Sequence, residues 1–254
     1  SLPLIPEALS IQIMNQSDKI MIQKMISKEA AGVFAIATTI SFIIWILEDS
    51  VWNAWIPWLY AKIGEGAEKE VAKPWISVMH IGILSWILVM LAPEEILILG
   101  GAKYKMAVWL IAPMVSGTLF RFYSYSYSAL QNYYKRTQYV AAGTIGTMVL
   151  NVILNYVCIL NFGYMAAAYT TAFSYIILLL VQGILEHKIT GMVIVPLHKT
   201  VLIAIAYGAI NLLSMNLYRV AWYYRYAVMI LVVGAAAIAL RKQMMAVLKM
   251  FKKK

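Results

Sequence analysis

Residues 137–185 read TQYVAAGTIGTMVLNVILNYVCILNFGYMAAAYTTAFSYIILLLVQGIL, 49 residues without a single Asp, Glu, Lys or Arg. A water-soluble domain has no means of solvating such a run. Bilayer hydrocarbon does, since one span takes about 20 mostly apolar residues. The only turn-like break inside is Asn161-Phe162-Gly163-Tyr164, which predicts two helices rather than one. The surrounding chain agrees: 63% of its residues are hydrophobic and 13% charged, with mean hydropathy +0.76. An ordinary globular domain carries roughly 25% charged residues. The chain therefore reads as a polytopic, all-α membrane protein.

Working outward, eight apolar segments follow one another at residues 2–25, 31–60, 73–92, 106–131, 139–160, 165–185, 200–217 and 222–240. Residues 62–73 form a short charged linker at the membrane surface. Ser1-Leu2-Pro3 has no basic leader, so the expectation is that the chain starts inside a longer protein. If residue 1 lies on the cytoplasmic side, 13 of the 21 Lys and Arg fall inside, seven fall outside, and Arg121 lies within a span. That bias supports a cytoplasmic C-terminus. The net charge of +10 then reflects basic loops facing anionic lipid rather than nucleic acid. The single Cys158 excludes an internal disulfide, and three scattered histidines have no metal-ligand spacing. No phosphate loop, HExxH or nucleophile elbow is present, and no connection has room for a soluble catalytic domain. The chain does not read as an enzyme.

Charges at mid-bilayer cost on the order of 2.5–3.5 kcal/mol, so they mark cavities or partners. Glu7, Glu48, Asp49 and Arg121 stand out. At about 1.5 Å of rise per residue, the last three lie about 4–6 Å to the cytoplasmic side of their span centres, and Glu7 about 7 Å. The expectation is that Arg121 pairs with Glu48 or Asp49 across a water-accessible cavity. Asp18, beside Lys19 near a helix end, reads instead as solvated. Trp45, Glu48, Trp52 and Trp55 share one helical face. Indoles around a carboxylate suit sugar rings, but also suit packing or an interfacial belt. Tyr123 belongs to an alternating Tyr/Ser run, residues 122–128, that fits either an aqueous path or the belt. Thr144, Thr147, Asn151 and Asn155 form a polar stripe best suited to interhelical hydrogen bonds.

Several segments resemble one known family: SLPLIPEALS and NQSDKIMI in residues 1–22, then AAGVFAIATTIS, AWIPWLYAKI, LAPEEILILGGAKYKMA and YYKRTQYVAAGTIGTMVLNVILNYVCILNFGYMAAAYTTAFSY. In order and spacing, residues 1–187 look like the C-terminal half of bacterial polysaccharide flippases of the multidrug/oligosaccharidyl-lipid/polysaccharide exporter superfamily. The resemblance implies a MATE-like exporter fold, with residues 1–187 as the second six-helix bundle and an N-terminal bundle missing. Residues 188–240 would be two additional helices and 241–254 a basic cytoplasmic tail. It also implies translocation of an undecaprenyl-diphosphate-linked oligosaccharide across the bacterial inner membrane by alternating access. Coupling to H+ or Na+, through Glu48, Asp49 or Glu7, would bias the switch. Arg121 and nearby tyrosines would attract the headgroup. A cation-coupled exporter of small molecules is the alternative, and a membrane enzyme of glycan assembly a weaker one.

Overall fold

A computed structural model describes the backbone of residues 4–191 and 194–252, and the side chains of residues 8–93, 101, 104–191 and 194–238. Among the described residues every regular element is helical: α1 (Leu4–Met25), α2 (Lys28–Gly64), α3 (Ala72–Met79), α4 (Gly82–Gly100), α5 (Val108–Tyr133), α6 (Thr137–Phe162), α7 (Ala166–Thr190), α8 (Leu197–Ser214) and α9 (Trp222–Lys252). Six segments are long and apolar enough to cross a membrane: Lys28–Gly64, Glu68–Pro93, Tyr104–Tyr133, Thr137–Phe162, Ala166–Thr190 and Leu197–Arg219. The 22-residue α1 is helical but falls outside these six, with polar side chains spread through it. In α9 the apolar stretch among described side chains is Trp222–Ile238, and the helix continues unbroken into the basic tail.

The ends of the helices follow local chemistry. Ser27 caps α2 by accepting from the Ala30 amide at 3.1 Å, with Glu29 in the first turn. The predicted break at Asn161–Tyr164 is present: Gly163 ends α6 at φ +79°, and its amide donates to the Ile159 carbonyl. Pro57, Pro93 and Pro113 stay inside helices without ending them.

One expected span is different. The segment at residues 73–92 is not one rod: it breaks at His80–Ile81 between α3 and α4. No proline lies at the break, so the sequence carries no punctuation there. The backbone tightens there to bonds three residues apart, His80 to Ser77 and Ile83 to His80, and side chains from other helices hold the bend. The Tyr123 hydroxyl donates to the Met79 carbonyl at 2.5 Å, and His80 Nδ1 lies 3.1 Å from the Tyr207 hydroxyl.

Helix α5 is the axis of the bundle, packed by α2, α4, α7 and α8. Of its most apolar window 78% is buried, against 22% for α6. One core cluster around it is aromatic, with Trp52, Trp55, Trp75, Phe122, Tyr123 and Tyr127. The other, nearer the start of α5, is aliphatic, with Ile40, Ile44, Val89, Ile111 and Val115. Hydrophobic burial alone does not join helices in lipid, so interhelical hydrogen bonds matter. Asn211 of α8 donates to Ser85 and Ser116, and the Trp75 and Trp86 indoles donate to Thr200 and Ser214. Helix α8 is thereby knitted into the bundle, and residue 187 falls inside α7.

Candidate functional site

A cleft of about 400 Å³ opens between α1 and α2, floored by α5 and α7. The α1 wall is polar: Gln12, Asn15, Gln16 and Lys19 recur on one side of the helix. Thr38, Thr39 and Trp45 contribute from α2, Thr118 and Arg121 from α5, and Thr171 and Tyr175 from α7. Tyr175 donates to Asn15 Oδ1 at 3.1 Å, tying the walls together.

Arg121 is 4% exposed and lies on this floor. Its Nη1 donates to the Tyr125 hydroxyl at 3.2 Å. The guanidinium sits 4.8 Å from the Trp45 ring centre and 5.3 Å from that of Tyr125, a cation–π arrangement. Behind it runs a seam too tight for water, lined by Trp45, Glu48, Asp49, Trp52, Arg121, Phe122 and Tyr125. The expected neighbours thus meet, but in a different form. Among the described residues no ion pair within 4.0 Å joins Arg121 to Glu48 or Asp49. Glu48 is 1% exposed and neither carboxylate oxygen has a hydrogen-bond partner. The nearby Thr118 hydroxyl is spent on the Val115 carbonyl. Asp49 turns to the exposed side of α2, where Asn53 donates to it at 3.3 Å.

A second polar group lies where the sequence had placed only a solvated helix end. Asp18 is 4% exposed. Its carboxylate accepts from Asn155 Nδ2 and from Thr171 Oγ1, the latter at 2.9 Å. Asn155 also donates to Asn151 Oδ1 at 3.2 Å and accepts from the Thr170 hydroxyl, while Asn151 donates to Thr171 and Ser174. Three helices thereby converge on one carboxylate whose hydrogen-bond donors from α6 and α7 are neutral, with the Lys19 ammonium acting on it through space, and Asp18, Lys19 and Thr171 all reach the cleft. The reading of Asp18 as a solvated helix end is corrected: α6 and α7 fold over it and leave it buried at the edge of the cleft.

The remaining expected residues divide. Asn151 and Asn155 serve the Asp18 cluster. Trp52 is buried against Trp75, Phe122 and Tyr125, with centroids 6.5, 6.1 and 5.7 Å away. Trp55 is packed as well, so this stripe is chiefly core. Tyr123 does not face the cleft, since its hydroxyl is committed to Met79. The serines of its run bond backward, Ser124 to the Arg121 carbonyl and Ser126 to the Tyr123 carbonyl. The Glu7 side chain lies outside the described residues. Sequence reasoning missed Asp18 and Tyr125; the three-residue spacing of Gln12, Asn15 and Asp18 was the available signal for the former. Among the described residues no group of three or more His, Cys, Asp or Glu could hold a metal ion. The oxygen-rich Asp18 cluster suits a proton or a hard monovalent cation instead.

No known protein family, curated protein or solved structure matches the chain.

Proposed function

We propose that this chain is a translocating body of a membrane transporter, and specifically of a flippase for lipid-linked oligosaccharides in the bacterial inner membrane. In this reading about eight helices cross the bilayer in a MATE-like arrangement, with the C-terminus cytoplasmic, and a second bundle completes the pathway. The observation that carries the proposal is Arg121: a buried cation, reachable from an open polar cleft and, among the described residues, in no ion pair within 4.0 Å of a carboxylate. A guanidinium left available in this way suits a diphosphate, whose oxygens match its fork of donors. The lipid tail would stay in the bilayer while the headgroup enters between α1 and α2. Asp18 would take the coupling H+ or Na+ in place of Glu48 and Asp49. Cation occupancy at the α1–α6–α7 junction would then bias the inward–outward equilibrium.

Proteoliposomes containing the transporter and a fluorescent undecaprenyl-diphosphate oligosaccharide test this. Arg121→Ala should abolish leaflet exchange while Arg121→Lys retains part of it. Unaltered exchange in the alanine variant would remove the proposal. The second reading, a cation-coupled exporter of small molecules, is favoured by the same Asp18 cluster. Cation-driven efflux of a dye, with no exchange of the lipid-linked substrate, would select it.

A further inference from the structure

Among the described residues, two cations and one anion line the open cleft between α1 and α2: Lys19, Arg121 and Asp18. Lys19 is the charged group there without a part in the transport cycle. It falls on the same side of α1 as Gln12, Asn15 and Gln16, at spacings of three and four. Successive helix residues point about 100° apart, so Asp18 and Lys19 diverge. The Asp18 carboxylate turns toward α6 and α7, where Asn155 and Thr171 donate to it. The Lys19 side chain stays half-buried at the cleft. Among the described residues neither Lys19 nor Arg121 forms an ion pair within 4.0 Å. The two cations also stand at neighbouring levels. Tyr175 of α7 lies within electrostatic reach of Arg121, and its hydroxyl donates to Asn15 Oδ1 at 3.1 Å. Lys19 is one helical turn beyond Asn15, a rise of about 6 Å. A four-carbon stem is long enough to cover that interval from the α1 side, while Arg121 approaches from α5.

Two cations facing one cleft are costly, and each has a partial offset. Asp18 acts on Lys19 through space, and the Trp45 and Tyr125 rings face the Arg121 guanidinium. Glu48 lies behind Arg121 in the closed seam, outside the cleft. A monoanion entering from the open side meets one cation and leaves the other. A doubly esterified diphosphate carries one negative charge on each phosphoryl group and meets both. We propose that Lys19 is the second cation of a two-phosphoryl site in this cleft, selecting a diphosphate diester over a phosphate diester. Arg121 offers a planar fork of donors to one phosphoryl group, and Lys19 a point charge to the other. The role of Arg121 rests on the flippase reading; Lys19 adds the discrimination between one phosphate and two.

Saturation-transfer NMR tests this on the full chain in nanodiscs of zwitterionic phospholipid, at fixed low ionic strength so that screening stays constant. The probes are symmetrical dimethyl diphosphate and dimethyl phosphate, read on their methyl protons. Both keep a constant charge across neutral pH. Wild type should bind the diphosphate about tenfold more tightly than the monophosphate. Lys19→Met should weaken diphosphate binding by about tenfold and leave dimethyl phosphate unaltered, which erases the preference. Lys19→Arg should keep it. Arg121→Ala should weaken both esters. Thermal unfolding is recorded for every variant, and Lys19→Gln repeats the comparison if the methionine variant does not fold. Diphosphate binding that Arg121→Ala abolishes and Lys19→Met leaves intact overturns the role of Lys19, with the flippase reading still standing. An equal loss of both esters in Lys19→Met also overturns it, since a residue that merely shapes the cleft would act on both alike. No binding of either ester by wild type overturns the diphosphate reading of Arg121 and Lys19 together.

Discussion

At the residue scale, Asp18 and Glu48 are both buried acids, yet their surroundings predict opposite responses to mutation. Asp18 accepts from Asn155 and Thr171, so Asp18→Ala leaves those donors buried without an acceptor. That variant should lose about 1–3 kcal/mol, seen as a lower midpoint of thermal unfolding in nanodiscs. Asp18→Asn keeps an acceptor in place and should stay within about 1 kcal/mol of wild type, while any dependence of transport on Na+ or proton gradient disappears. Glu48 accepts nothing. Glu48→Leu should therefore leave the unfolding midpoint unchanged or raise it, since replacing buried charge by apolar volume is often neutral or favourable. A drop of about 3–5 kcal/mol, the usual cost of breaking a buried ion pair, would show that Arg121 depends on it after all. Legibility also differs between the two. The depth of Glu48 and Arg121 in their spans was enough to bring them together. Asp18 could not be placed that way, because what buries it is the return of α6 and α7, more than 130 residues downstream.

At the element scale, close packing at glycines holds the broken span in place. A Cβ built on Gly82 would lie 2.6 Å from the Tyr207 ring, which also holds His80. Gly82→Ala should displace that ring and cost about 1–3 kcal/mol by overpacking. Tyr207→Leu in the same chain should recover part of the loss, giving a non-additive double-mutant cycle in thermal unfolding. Additive losses would show that the two do not touch in the membrane. Tyr123→Phe, which strips the Met79 carbonyl of its donor, should cost about 1–3 kcal/mol in the same measurement. Apolar length made nearly every helix visible in the sequence. The interruption at residues 80–81 was not visible, because the side chains that hold it, Tyr123 on the Met79 carbonyl and Tyr207 on the His80 ring, come from other helices. The Tyr/Ser alternation of α5 misled for a related reason: in a helix packed from several sides, Ser124 and Ser126 bond backward to their own helix and Tyr123 bonds across to Met79.

At the scale of the whole molecule, the connections alternate between two ends. Tyr60 and Tyr133 meet with centroids 5.2 Å apart at one end, and Tyr104 lies against Gly32 at the other. Single cysteines at Glu68 and Arg136, in a Cys158→Ser background, should react with a membrane-impermeant maleimide from one side of sealed vesicles. Cysteines at Lys105 and Tyr164 should react only from the other. Labelling of Glu68→Cys and Lys105→Cys from the same side would refute the alternation. The central position of α5 also bears on how the protein is made. Its mean hydropathy, 1.3, is the lowest among the six long apolar segments, against 2.2 for α2. Surrounded by neighbours in the finished bundle, α5 carries its arginine, tyrosines and serines without exposing them to acyl chains. During synthesis it emerges before α7 and α8 exist to cover it. Its release from the insertion machinery must then wait for those later helices, so biogenesis is set by the slowest arrival around one axle rather than by each helix partitioning alone.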